Sequence, residues 1–278
     1  MLKLSLKNSN YHNPVLPTIA IDWLAVQPGE KYIDATLGGG SHTAEIIRRG
    51  GKVLGLDQDP DAISACLALP KPLDEGGPDL VLVQTNFIYL AEIVAQYQWQ
   101  PAAGILFDLG VSQHQVEVAS RGFSWAKDGP LDMRMGESAV TAANIINQFP
   151  VSQLTSLFRN YGEIPVARTL AIKIIAARPL RTTGQLAKIT GKWSRQAFQA
   201  LRIAVNDELG AIATSLPVAL EVLQAGGRLV MISFHSLEDR IVKQQFVAWQ
   251  KAGRGQVLTK KPVLGERGSK LRAFQKQK

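Results

Sequence analysis

Over the first hundred residues, short and nearly continuous apolar runs alternate with stretches that carry helical spacing. Lys31–Thr36 (KYIDAT) leads to Ser41–Arg49, and Lys52–Asp57 (KVLGLD) leads to Pro60–Leu69. Asp79–Thr85 (DLVLVQT) leads to Tyr89–Gln98, and Ala102–Gly110 (AAGILFDLG) closes the series. Strands without polar alternation are covered on both faces, so the pattern predicts a parallel sheet of βα units. Strand starts at 31, 52, 79 and 102 suit a doubly wound α/β fold. The rhythm then stops. From Gln113 to Ala197 there are turns and helical segments, such as Val151–Tyr161 and Ile164–Ala177, with no clear strand. A helical region, Phe198–Leu223, follows, with an interruption predicted at Pro217. Gly226-Gly227 ends it, Arg228–Phe234 reads as another buried strand, and Leu237–Lys251 as a further helix. The expected organisation is a core in two parts, 1–112 and 198–278, with a helical domain at 113–197 inserted between them. Substrate is expected between the two parts.

The composition sets the class. The chain has 278 residues, 46% hydrophobic and 19% charged, which supports a sizeable core and excludes disorder as the main state. The longest apolar runs, such as Ala102–Phe107, fall far short of the roughly 18 residues a bilayer span needs. MLKLSLKNSN has neither the apolar stretch nor the cleavage site of a secretory signal. A single cysteine, Cys66, cannot form an internal disulfide and fits a cytoplasmic protein. His12, His42, His114 and His235 stand far apart with no second cysteine, which argues against a zinc site. Charge changes the picture more. Residues 251–278 hold nine basic residues and one acid, Glu266, whereas residues 1–250 balance at 22 against 22. A basic tail on a neutral body points to a polyanionic partner engaged through counterion release. A solvated, frayed terminus is the alternative.

Ligands of open α/β sheets bind outside the carboxyl ends of the strands, so those ends are where chemistry is expected. The first carries Asp34-Ala-Thr-Leu-Gly-Gly-Gly-Ser-His42. Its glycines let a ligand approach the backbone, and the following helix offers free N–H groups to an anionic group. It is neither a G-x-G-x-x-G fingerprint nor a P-loop, and a plain tight turn is its alternative. The second carries Asp57 and Asp59 before Pro60. Asp59 is the better helix cap, since proline favours the first helical position. Asp57 is thereby left for ribose hydroxyls, and loop plus acid favour an adenosine-containing cofactor. The third carries Asp108, a carboxylate after an apolar run, costly unless it is hydrogen-bonded or functional. The fourth carries Ser233-Phe-His-Ser-Leu-Glu-Asp-Arg240, where His235 is either a site residue or a cap, and Ser236 with Asp239 is similar to a capping box.

Several segments together resemble one family. They are Tyr-His12-Asn-Pro-Val-Leu16, the Asp34–Thr43 loop, Asp108-Leu-Gly-Val-Ser112, the run Arg121–Met135 (RGFSWAKDGPLDMRM), Phe198-Gln-Ala-Leu-Arg-Ile203, and Ile232–Lys243 (ISFHSLEDRIVK). In order and wording they closely resemble the bacterial 16S rRNA (cytosine-N4) methyltransferase H family, from about residue 11 to 262. The resemblance implies a class I, Rossmann-like methyltransferase core with an inserted helical substrate-recognition domain. It implies S-adenosyl-L-methionine as methyl donor and N4 of a decoding-centre cytidine of 16S rRNA, in the small ribosomal subunit, as acceptor. It also implies cofactor contacts at Gly40, Ser41, His42, Asp57, Phe87, Asp108 and Gln115. Phe87 would pack on adenine, and Asp108 is the candidate catalytic acceptor for the N4 proton. Arg121, Lys127 and Arg134 are candidate phosphate contacts, with ordinary surface charge as the alternative.

The sequence departs from the family pattern in places. Ser41 replaces a glycine, Thr18 a glutamate, and Ile164 the second Glu of Tyr-Gly-Glu-Glu. Thr190–Gln199 is shorter than the family's stretch around His-Pro-Ala-Thr-Arg, and the chain is short after Lys-Lys-Pro262. A catalytically weakened, ribosome-binding paralogue is therefore one alternative. A nicotinamide-dependent oxidoreductase on a similar fold is another.

Overall fold

The structure, a computed structural model, describes residues 17–67 and 79–278. The Tyr-His12-Asn-Pro-Val-Leu16 segment lies outside them. In chain order the elements are α1 (Pro17–Leu24), β1 (Lys31–Asp34), α2 (Ser41–Arg48), β2 (Lys52–Asp57), α3 (Pro60–Cys66), β3 (Leu80–Gln84), α4 (Leu90–Gln96) and β4 (Ala102–Asp108). Six helices follow: α5 (Gln113–Glu117), α6 (Ala142–Gln148), α7 (Val151–Asn160), α8 (Ala167–Ala176), α9 (Thr183–Thr190) and α10 (Ser194–Asn206). The chain closes with α11 (Glu208–Val222), β5 (Leu223–Ser233), α12 (Ser236–Lys251), β6 (Gly255–Val257), β7 (Val263–Leu264) and β8 (Lys270–Lys276). No single helix among the described residues is long and apolar enough to cross a membrane.

Two compact units divide the chain, Met1–Gly110 with Leu209–Lys278, and Val111–Glu208. The first holds one sheet in the order β3-β2-β1-β4-β5-β8-β6, with β7 paired to β8. β1 to β5 are parallel, and β8 joins β5 antiparallel. This is the doubly wound α/β sheet expected from the apolar runs, in the class I arrangement that the family resemblance implies. Alternate residues of each strand face opposite sides. Ile33, Leu54, Ile105 and Met231 pack in one core, and Tyr32, Val53, Leu106 and Val230 in the other. Burial on both faces is why these strands lack polar alternation.

The second unit is all helical around its own core, with Leu154, Phe158, Leu170, Leu186, Phe198 and Leu201 at its centre. Its far boundary falls at 208/209 rather than 197/198, because α10 directs Ala197, Phe198, Leu201 and Val205 into this core. The helical break also moves. Asp207 adopts a left-handed conformation (φ 47°) and ends α10, whereas Pro217 sits inside α11. Aspartate tolerates that conformation better than most residues, so the polar residue, not the proline, punctuates the region.

The largest correction concerns the basic tail. It is not frayed. β8 runs beside β5 from Arg228↔Gln275 to Ser233↔Lys270 and takes β6 on its other edge. Leu271, Ala273 and Phe274 are buried, and the Phe274 ring lies 5.3 Å from both Phe246 and Trp249 of α12. Arg272, also buried, holds Asp239 with Nε–Oδ1 at 2.6 Å and Nη2–Oδ2 at 3.2 Å. Lys270 Nζ stands 3.7 Å from the same carboxylate, and Arg254 pairs with Glu221. Much of this segment's charge serves the fold.

Candidate active site

In the first unit, β1 and β4 are neighbours at the point where the strand order reverses, which is where open α/β sheets bind ligands beyond the strand ends. Asp34 ends β1 and Asp108 ends β4. Between β1 and α2 the chain turns through Gly38 (φ 50°) and Gly40 (φ 74°), the second capping α2 in a left-handed conformation. A Cβ at Gly38 would meet only Thr36 O, at 3.9 Å, so this backbone borders open space. Ser41 and His42 are the first two residues of α2.

His42 is buried, as is the Asp108 side chain, and Nε2 of the one stands 3.4 Å from Oδ2 of the other. That is ion-pair distance, and neither ring nitrogen of His42 completes a hydrogen bond among the described residues. Asp34, fully buried, accepts from Thr43 Oγ1 at 2.7 Å and from Thr36 N at 3.3 Å. Thr36 Oγ1 in turn accepts from the Asp108 backbone N–H at 2.6 Å, tying the two strand ends together. Burial pushes the Asp34 carboxyl above the usual carboxylate range, against the pull of the His42 charge and the Thr43 hydroxyl. For His42, burial pushes downward, but the Asp108 and Asp34 carboxylates outweigh it and the net shift is upward. The imidazole therefore tends to the protonated form beside the Asp108 carboxylate.

Asp59 takes the capping role that its position suggested. Asp59 caps α3 by accepting from Asp61 N at 3.0 Å. Asp57 accepts from Gly38 N at 2.8 Å and Asp59 N at 2.9 Å. Burial raises its pKa to about 6. At the end of β3, Asn86 caps a short turn by accepting from Ile88 N, and this turn carries Phe87. The Phe87 ring meets Phe107 edge-on at 5.4 Å and remains partly exposed. Gly40, Ser41, His42, Asp57, Phe87 and Asp108 thus occupy the carboxyl ends of β1 to β4 in one unit. Gln115 belongs to the second unit, where it is buried and completes a capping box with Ser112 at the start of α5.

Three further findings separate structural from chemical roles. His235, not Ser236, caps α12: its Nδ1 faces Glu238 N at 3.4 Å, and Glu238 accepts from Phe234 N at 2.7 Å. The three cations expected on RNA are engaged within their own loop. Arg121 donates to the carbonyls of Arg134 and Met135, Arg134 forks onto Asp132, and Lys127 Nζ donates to Glu117 O at 2.9 Å. Asp34 is the site residue that sequence reasoning passed over. The signal is the same as for Asp108, an acid ending an apolar strand, but in the sequence it reads as the start of the glycine loop.

Residues 9–269 match the MraW methylase family. The chain belongs to that family. A "Ribosomal RNA small subunit methyltransferase H" of Symbiobacterium thermophilum is 45% identical over 260 residues, 87% of this chain and 81% of its own length. One of the same name from Heliobacterium modesticaldum is 40% identical over 312 residues, 96% of this chain and 98% of its own. Another, from Amoebophilus asiaticus, is 43% identical over 256 residues, covering 87% and 81%. Among solved structures, an rRNA methylase from Streptococcus thermophilus aligns over 92% of this chain and 93% of its own, at TM-score 0.46 and 13% identity. Membership makes this methylase S-adenosylmethionine-dependent, and the oxidoreductase alternative falls away. The residues present fit that cofactor. The glycine turn offers open backbone at Gly38, His42 keeps buried ring nitrogens without a hydrogen bond, and Asp57 is a desolvated carboxylate acceptor at the next strand end.

Proposed function

We propose that this methylase modifies N4 of a decoding-centre cytidine of 16S rRNA, within the small ribosomal subunit. The observation that carries this reading is the match over residues 9–269, with relatives named for small-subunit ribosomal RNA. When bound, S-adenosylmethionine supplies an electrophilic methyl group on a sulfonium. In transfer to N4 the S–CH3 electron pair would return to sulfur as the N4–CH3 bond forms, and the N4 proton would pass to the Asp108 carboxylate. Cytosine N4 is a poor nucleophile because its lone pair is delocalised into the ring. Catalysis therefore needs in-line positioning and an acceptor that grips N4–H as the nitrogen becomes tetrahedral.

Asp108 is placed for that acceptor role at the end of β4. His42 beside it and the Thr36 bridge to its backbone restrict its orientation. Asp57 holds the ribose, Phe87 packs against the adenine, and the Gly40–His42 turn takes the methionine end. The inserted unit is the part that recognises RNA. Of its charges, twelve are basic and seven acidic, a net +5. Arg159, Arg168, Lys173, Arg181, Lys188 and Arg195 are exposed on it. A stacked cytidine is shielded from any enzyme group, so the target base leaves its stack to react. The test is to incubate the protein with unmodified small subunits and S-adenosylmethionine, then analyse rRNA fragments by mass spectrometry. One added methyl on a decoding-centre cytidine, at N4, is the expected product. No methyl, or one on another base, overturns the assignment.

A further inference from the structure

The loop of residues 121–132 in the inserted unit is pinned along its length. Gly122 is left-handed (φ 76°), and a Cβ there would lie 2.2 Å from Pro130 O; one at Gly129 would lie 1.9 Å from Ala119 O. Thr183 anchors the loop from α9, with Thr183 Oγ1 donating to Lys127 O at 2.9 Å and accepting from Gly129 N at 3.0 Å. Asp128 accepts from Gly184 N at 2.8 Å, and Ser124 Oγ accepts from both Ala126 N and Lys127 N at 3.2 Å. Every one of these ties is made by backbone or by small polar groups. None needs the indole at the loop's tip.

That indole, Trp125, is 46% exposed. Its ring meets buried Phe198 of α10 edge-on, with centroids 6.3 Å apart and planes at 76°. Its N–H has no hydrogen-bond acceptor among the described residues. A tryptophan recruited for packing is normally far more buried than this. Here the ring is propped at one edge on the core, and its loop cannot collapse to cover it. Arg195 stands one helical turn before Phe198 on α10, the helix against which the indole rests. It is exposed and lies in a unit of net +5.

A half-exposed aromatic ring on a basic surface is the combination that holds single-stranded nucleic acid, a base on the ring and phosphates on the cations around it. We infer that Trp125 is a stacking platform for an unpaired base of the RNA substrate, with Arg195 taking an adjacent phosphate. This rests on the rRNA reading above and adds a specific contact to it. The ring contact of Trp125 is with Phe198, so its role is in positioning. Because the ring is fixed before RNA arrives, stacking would cost little side-chain entropy.

The experiment compares Trp125→Ala, Trp125→Phe and Arg195→Gln with wild type. Fluorescence anisotropy measures affinity for a labelled single-stranded RNA of the decoding-centre sequence over a salt series, and calorimetry measures S-adenosylhomocysteine affinity. Trp125→Ala should weaken RNA binding about tenfold or more, the loss of one base–aromatic stack. Trp125→Phe should restore most of it, because a phenyl ring still stacks. Arg195→Gln should lower the slope of log affinity against log salt by about 0.7. Cofactor affinity should stay within about twofold in all three. Wild-type RNA affinity in Trp125→Ala overturns the platform, as does a parallel loss of cofactor affinity and melting temperature, which would make the ring structural. Failure of the wild-type protein to methylate small-subunit rRNA would instead overturn the reading beneath it.

Discussion

Two stretches of this chain are rich in lysine and arginine, and they use that charge in opposite ways. Residues 251–278 carry nine cations against one acid, and the inserted unit twelve against seven. In the first, β8 threads into the sheet, Arg272 is buried on Asp239, and Arg254 pairs with Glu221. These cations answer acids in the rest of their own unit, where residues 1–110 alone hold twelve acids against seven bases. In the second, the loop cations Arg121, Lys127 and Arg134 are tied down, while those on the helix surfaces stay exposed. A run of positive charge in a sequence is thus a statement about what it faces. Only the partner, internal acid or external polyanion, decides whether it stabilises the fold or binds a ligand.

The sharpest way to break this comparison is to remove the tail. Deleting residues 265–278 takes out β8 together with Leu271, Ala273 and Phe274. Phenylalanine truncation in a core by itself costs about 3–5 kcal/mol, so the deletion should exceed a typical domain's stability and leave no cooperative melting transition. A soluble, cooperatively melting truncation would return the tail to a surface role. Next in size is Arg272→Ala, which strands the Asp239 carboxylate. It should cost about 3–5 kcal/mol in denaturant unfolding. Equal loss on replacing an exposed tail lysine such as Lys261 would contradict the distinction.

At the strand ends the charges are acidic and the expected effects concern the cofactor. Asp57→Ala should weaken S-adenosylmethionine binding by about 1.5–3 kcal/mol, the loss of charge-assisted hydrogen bonds. Unchanged affinity in calorimetry would rule out the ribose role. The pH dependence follows from burial, which raises this carboxyl to about 6. Ribose hydroxyls donate to the ionised form, so affinity for S-adenosylhomocysteine should fall as pH drops through 6 and be flat above about 7. In Asp57→Asn the pH step should vanish. Asp108→Asn should lower turnover more than cofactor affinity, because an amide is the weaker acceptor for N4–H. Equal losses would confine Asp108 to binding. The smallest effects belong to single exposed cations of the inserted unit. Lys173→Gln or Arg159→Gln should each lower the salt slope of RNA binding by somewhat under one unit and leave stability unchanged.

Much of this was legible in the sequence, and the misses share a cause. β1 to β4 announce themselves because burial on both faces leaves unbroken apolar runs, and the Asp57–Asp59 division follows from proline at the first turn of α3. Local rules failed where a distant partner decides. Asp207 outranks Pro217 as a helix break because of where α10 and α11 each pack. β8 (KLRAFQK) alternates polar and apolar residues, yet its flanking charges disguised it as solvated tail. His235 caps α12 because Glu238 closes the box from three residues on, whereas the spacing equally allowed Ser236. Asp34 and Asp108 lie 74 positions apart, and nothing short of the β1–β4 pairing brings them to adjacent strand ends.

The division of labour between the two kinds of charge can be put to a single crossed measurement. Asp57→Ala and a variant with Arg159, Lys173, Arg181 and Lys188 all changed to Gln are each titrated with S-adenosylhomocysteine and with small-subunit rRNA, across a salt series. Asp57→Ala should lose cofactor affinity while keeping the full RNA salt slope. The four-glutamine variant should keep cofactor affinity while its RNA slope falls by roughly three units, somewhat under one for each contact. An unchanged RNA slope in the second variant, with RNA still bound, would contradict the assignment of RNA contact to the inserted unit.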